Sequence, residues 1–97
     1  LPKVENFAKY LVTNTDTTVK VIGHTDSYGS DRYNMNLGSN RAKSVMNKLI
    51  ELGVSAARLT YDSRGEREPV ASNRTKHGKA LNRRIEVQLS YPNRKGN

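Results

Sequence analysis

Residues 18–42 read TVKVIGHTDSYGSDRYNMNLGSNRA, and three patterns follow one another in that stretch. Thr18-Val19-Lys20-Val21-Ile22-Gly23 is rich in β-branched residues and alternates imperfectly, which predicts a strand buried largely on one face and ending at His24. Ser27-Tyr28-Gly29-Ser30-Asp31 is a loop of turn formers. Beyond it Leu37, Ala42, Val45, Met46, Leu49 and Ile50 trace the apolar stripe of a long helix, stopped by Gly53 and with Asn34 as its expected cap. A strand that runs through a short charged loop straight into a helix is half of a strand-helix-strand layer. The rest of the chain can be placed around it.

Upstream, Val4, Phe7, Ala8, Leu11 and Val12 recur at helical spacing after Pro2, and Asn14-Thr15-Asp16-Thr17 ends the pattern. Downstream, Val54 to Arg58 leads into a strand around Leu59-Thr60-Tyr61, and Arg64-Gly65-Glu66 opens a polar loop kept irregular by Pro69 and residues 73–78. In Arg84 to Tyr91, Ile85, Val87, Leu89 and Tyr91 alternate with Glu86, Gln88 and Ser90, and Pro92 closes the strand. Helix, strand, helix, strand and strand predict an α/β (α+β) two-layer sandwich, with parallel strands joined through helices and an antiparallel strand added last. Residues 1–97 form one domain with a basic tail at 92–97. The opening helix has no strand before it.

Composition narrows the function. At 97 residues, with 34% hydrophobic and 27% charged residues and no Trp, the chain can build one modest core of Val, Leu, Ile, Met and Tyr. Apolar runs are too short to span a membrane, so contact with a membrane is expected only through regions outside this chain. Without Cys, thiol catalysis, structural disulfides and thiolate metal sites are excluded. The net charge of +8 calls for an acidic partner or surroundings: nucleic acid, anionic lipid or an anionic cell-wall polymer. The five Tyr and one Phe are scattered and carry no nucleic-acid signature, so no nucleic acid is expected as partner. A basic polyanion-binding module stays as the alternative, and a protein-interaction domain as a third reading.

No catalytic arrangement stands out. His24-Thr25-Asp26 lies near serines, but the Gly-x-Ser-x-Gly elbow is absent and no triad order is recognisable. His24, Asp26, Asp31 and His77 lack metal-ligand spacing. The chain is therefore expected to be no enzyme and to hold no metal or cofactor. Asp26 and Arg41 remain, one just past a strand and the other in the first two turns of the next helix. They could form a structural salt bridge. Alternatively they flank a gap and receive a zwitterionic amino-acid end, with the Arg41 fork on its carboxylate and Asp26 on its ammonium.

Several motifs in order carry a family resemblance: Gly23-His24-Thr25-Asp26; Asn34-x-x-Leu37; Arg41-Ala42-x-x-Val45 with Leu49 and Gly53; Gly65-Glu66 and Pro69; Asn73-x-Thr75-x-x-Gly78; and Asn82-Arg83-Arg84-Ile85-Glu86. Together they span about residues 18–89, and the chain resembles the OmpA-like peptidoglycan-binding domain. The resemblance implies a βαβαβ-β fold with a mixed sheet and helices on one face, its first strand and the following loop preceding Leu1. It implies noncovalent binding of peptidoglycan through the meso-diaminopimelate of the stem peptide, in a periplasmic protein attached to the outer membrane, or less commonly the inner membrane, of a Gram-negative bacterium. Asp26 and Arg41 would hold the ammonium and carboxylate, Thr25, Asn34, Leu37 and Arg84 would line the same pocket, and His24 would brace the loop. Gly38 stands where the family has Ser, at up to about 1 kcal/mol of helix propensity if interior.

Overall fold

A computed structural model describes residues 2–91; Leu1 and the basic tail at 92–97 lie outside the described residues. The order is α1 (Pro2–Thr13), β1 (Thr18–His24), α2 (Asp31–Glu51), a 3-10 turn (Ala56–Arg58), β2 (Leu59–Gly65), α3 (Lys76–Asn82) and β3 (Arg84–Ser90). β1 is central: it pairs parallel with β2, Val21 opposite Tyr61, and antiparallel with β3, Val21 opposite Val87. This is the mixed-sheet α+β sandwich the patterning predicts. Parallel β1 and β2 need a crossover, and α2 supplies it.

The core lies between the sheet and the first two helices. Ala8 and Leu11 of α1, Val19 and Val21 of β1, and Ala42 and Leu49 of α2 are buried together with Val54 and Leu59. Val45 and Met46 pack against them. Arg58 ties the far end together, its guanidinium donating to the carbonyls of Leu11, Asn14 and Thr17 at 2.7–2.8 Å. One side chain thereby satisfies open carbonyls at the end of α1 and fixes the entry to β2.

Four details differ from the sequence reading. The cap of α2 is Ser30, whose Oγ accepts the Tyr33 N–H at 3.0 Å, so Asn34 lies inside the helix and not at its start. A helix that begins at Asp31 puts Arg41 about three turns in, rather than in the first two. β2 continues through Arg64 to Gly65. Within the region expected to be irregular, Thr75 caps α3 by accepting the Gly78 N–H at 2.9 Å. Replacing Ser30 by Ala should cost about 1 kcal/mol of stability, measured by denaturant melts; an unchanged midpoint would mean the cap is dispensable.

The interior glycine of α2 has a packing reason. Gly38 faces Gly23 of β1, and a Cβ on it would stand 2.3 Å from Ser63 Oγ and 2.8 Å from the Gly23 carbonyl oxygen. Ser63 Oγ of β2 fills the space beside Gly38 and accepts the Gly65 N–H at 3.1 Å. On the other flank of the sheet, β3 is an edge, and Ile85, Val87 and Leu89 are 37–41% exposed. The alternation there is real, but its apolar side is only partly covered. A free edge of this kind is where a further strand can add.

Candidate functional site

The site is assembled where β1 ends, α2 passes and β3 begins. Thr25 continues β1 and donates its N–H to the Gly65 carbonyl at 2.9 Å, which ties the chain to the end of β2. Its hydroxyl donates to the Asp26 carbonyl at 2.8 Å. Asn34 is buried on α2, and its Nδ2 donates both to the Tyr28 carbonyl at 2.9 Å and to Glu66 Oε1 at 3.0 Å. Thr25 and the Asn34 Nδ2 group thus hold the 25–30 loop against α2 and Glu66, while Asn34 Oδ1 is buried without a hydrogen-bond partner among the described residues. Leu37, half-buried, stands one helical turn before Arg41 on the same side of α2.

Asp26 does not pair with Arg41. Its Oδ1 accepts the Tyr28 N–H at 3.0 Å, and its Oδ2 accepts from Arg83 Nη1 at 2.7 Å. The Tyr28 N–H and the Arg83 hydrogen bond hold the carboxyl below the ordinary aspartate range, opposed by burial and helped further by the charges of Arg83 and Lys79. Arg41 is exposed and, among the described residues, makes no hydrogen bond or ion pair. Together with Arg83, Arg84 and Ile85 it lines a groove of about 260 Å3. Arg84 is anchored there: it donates to Glu86 Oε2 at 2.7 Å, to the Glu68 carbonyl at 2.9 Å and to the Asn82 carbonyl at 3.3 Å. His24 is buried at the end of β1 with Nε2 3.1 Å from Glu86 Oε1, so it faces β3 rather than the loop.

The structure therefore brings Arg41 and Arg84 to one groove and links Asp26 to it through Arg83, which sequence reading did not single out. Arg83 is the cap residue of α3, and Asn82 beside it is fully buried. Asn82 clamps the 70–73 segment through the N–H groups of Val70 and Ala71, the Ala71 carbonyl and the Asn73 side chain. That base fixes where both arginines leave the backbone. The available signal was the Asn82-Arg83-Arg84 run; its meaning depends on α3, which was not expected.

Such a set can hold charge of both signs: a carboxylate at the loop, joined to the groove by Arg83, and in the groove the Arg41 guanidinium, unpaired among the described residues. Lowered carboxyl pKa values also give the pH response. Asp26, Asp62 and Glu86 all lie below their ordinary ranges, because of backbone or arginine hydrogen bonds. Their stabilising effect is complete above the unfolded carboxyl values of about 4 and is lost as pH falls through the lowered native ones. Melts should therefore weaken from about pH 4 downward, with the Asp26 carboxyl titrating below a free aspartate in NMR. A midpoint at or above the free value would contradict the Arg83 hydrogen bond.

With this geometry in view, comparison with known proteins is specific. The family model described as "OmpA family" matches residues 2–83, and the chain belongs to that family. It is 43% identical over 86 residues to outer membrane porin F of Pseudomonas fluorescens, covering 89% of this chain and 26% of the porin. It is 50% identical over 74 residues to the probable lipoprotein YiaD of Escherichia coli K12, covering 76% of this chain and 34% of YiaD. The chain thus spans about a quarter to a third of these curated relatives. Among solved structures, the peptidoglycan-associated lipoprotein from Burkholderia pseudomallei superposes with a TM-score of 0.86 at 32% identity, covering 90% of this chain and 74% of that one.

Proposed function

We propose that this domain binds peptidoglycan noncovalently, by holding the free end of meso-diaminopimelate in the stem peptide, and so anchors an envelope protein to the cell wall. The observation that carries the reading is the Arg41 guanidinium, unpartnered among the described residues, in a groove joined through Arg83 to the ionised Asp26. Diaminopimelate presents an ammonium and a carboxylate on one carbon; Asp26 accepts from the first and Arg41 donates a fork to the second. Ile85 gives the groove an apolar wall. Arg84, paired with Glu86, is fixed in the groove, Thr25 and Asn34 hold the loop, and Leu37 lies on the Arg41 side of α2. The action is binding without turnover, since no nucleophile is paired with a base around the groove among the described residues.

Family membership and the peptidoglycan-associated lipoprotein relative support this reading. They also support a periplasmic setting in a protein attached to the outer membrane by parts outside this chain. Titration with two muropeptides, one with diaminopimelate and one with lysine at the third position, tests it. Lysine has the ammonium without the side-chain carboxylate, so its peptide should bind at least about tenfold more weakly; equal affinities refute the zwitterion site. Three arginines around one groove also favour a polyanion, the second reading. Phosphate-dominated binding collapses as salt rises, whereas a single zwitterion responds weakly, so the same titration at two salt concentrations separates them.

A further inference from the structure

The three guanidinium groups of the groove are committed to different degrees. Arg84 has three protein partners and a side chain only 18% exposed. Arg41 has none among the described residues. Arg83 is intermediate: its side chain is 44% exposed, lines the same groove as Arg41, and has Asp26 as its one partner among the described residues. We propose that Arg83 is a second carboxylate ligand, which occupies Asp26 before binding and transfers to the ligand as it arrives. The incoming ammonium replaces Arg83 on Asp26, and the released guanidinium joins Arg41 on the carboxylate of the same carbon. This rests on the diaminopimelate reading above and extends it to how amines are rejected.

The charges support exchange rather than simple addition. With Asp26 paired to Arg83, the groove carries the unbalanced charge of Arg41. A zwitterion leaves that balance unchanged, and every charge gains a partner. A ligand bringing only an ammonium adds a second unbalanced charge and strands Arg83 with nothing to accept its hydrogen bonds. Arg83 thereby makes the ammonium site conditional on a carboxylate next to it. The backbone permits this: Arg83 is fixed at its N–H by the Lys79 carbonyl at 3.1 Å and its neighbour Asn82 is clamped, so only the side chain has to move.

The test compares wild type and Arg83→Gln with three stem peptides, carrying at the third position diaminopimelate, diaminopimelate with its side-chain carboxyl amidated, or lysine. Arg83→Gln should weaken the diaminopimelate peptide about tenfold or more, while the two peptides lacking the carboxylate bind as well as before or better, because Asp26 is then unopposed. In wild type, the Arg83 side-chain N–H signals should shift as the diaminopimelate peptide saturates the site. Undiminished diaminopimelate binding by Arg83→Gln, an equal loss for all three peptides, or Arg83 signals that stay fixed at saturation would each overturn the exchange. The last readout needs no variant and holds even if Arg83→Gln fails to fold. A wild-type domain that binds none of the three overturns the diaminopimelate reading itself, and the exchange with it.

Discussion

Arg41→Ala is expected to remove nearly all stem-peptide binding and to leave the melting temperature unchanged. Arg41 is exposed and without a partner among the described residues, so its side chain does not hold the fold together. In the interior of α2 alanine is at least as good a helix former, and surface changes of this kind stay within about 0.5 kcal/mol. For the ligand the position is different, because truncation leaves its carboxylate facing Arg83 alone. Deleting a charge-assisted hydrogen bond of this kind costs on the order of 2 kcal/mol or more, a drop of roughly thirtyfold or greater. Asp26→Ala should weaken binding as much, with an added decrease of about 1 kcal/mol in stability as the Tyr28 N–H is left without its acceptor. Calorimetric titration beside thermal melts decides the matter. A large drop in melting temperature for Arg41→Ala would return that residue to a structural role, and unchanged binding would end its role in the groove.

Gly23→Ala should be the most destabilising single methyl addition at the site. Its Cβ would fall 1.9 Å from the Gly38 carbonyl oxygen and 2.6 Å from the Gly38 carbonyl carbon. Both are backbone, so no rotamer change relieves the overlap and α2 must lift off β1. Overpacking usually costs about 1–3 kcal/mol, and a helix pushed from its strand belongs at or above the upper end. Gly38→Ala meets a removable neighbour as well, Ser63 Oγ. Trimming that hydroxyl with Ser63→Ala should recover part of the stability lowered by Gly38→Ala and none of that lowered by Gly23→Ala. A double-mutant cycle by denaturant melts measures the coupling, and equal rescue of both variants would refute the packing account.

The same close approach bears on function. β1 ends beside Asp26 and α2 carries Arg41, so the distance across the groove is set where Gly23 meets Gly38. A variant that separates helix from strand should therefore lose ligand affinity along with stability.

Local pattern determined much of this protein by itself. β-Branched residues at 18–22, the apolar stripe from Leu37 to Ile50 and the alternation after Arg84 each repeat at the period of one element, so they identify β1, α2 and β3 without knowledge of their neighbours, although β1 is buried on both faces from Val21 to His24 rather than largely on one and β3 leaves its apolar side partly exposed. The ordered motifs from Gly23 to Glu86 carried the family, and its model matches residues 2–83. Asp26 and Arg41 stood out because unlike charges at a strand end and on the following helix are legible as residue types. What they pair with was not legible, since an ion pair depends on distances between elements far apart in the chain. Arg83 is 57 residues from Asp26 and reaches it only because α3, a seven-residue helix with too little apolar period to be noticed, returns the chain to the end of β1. The cap of α2 was missed for a related reason: Ser30 and Asn34 are both good capping residues, and the choice fell to the tertiary hydrogen bonds that draw Asn34 inward to Tyr28 and Glu66. Gly38 was a helix-weakening departure in one dimension. In three it is the space that Ser63 and the Gly23 carbonyl require, because close approach of backbones is a property of packed layers and leaves no mark on a single segment.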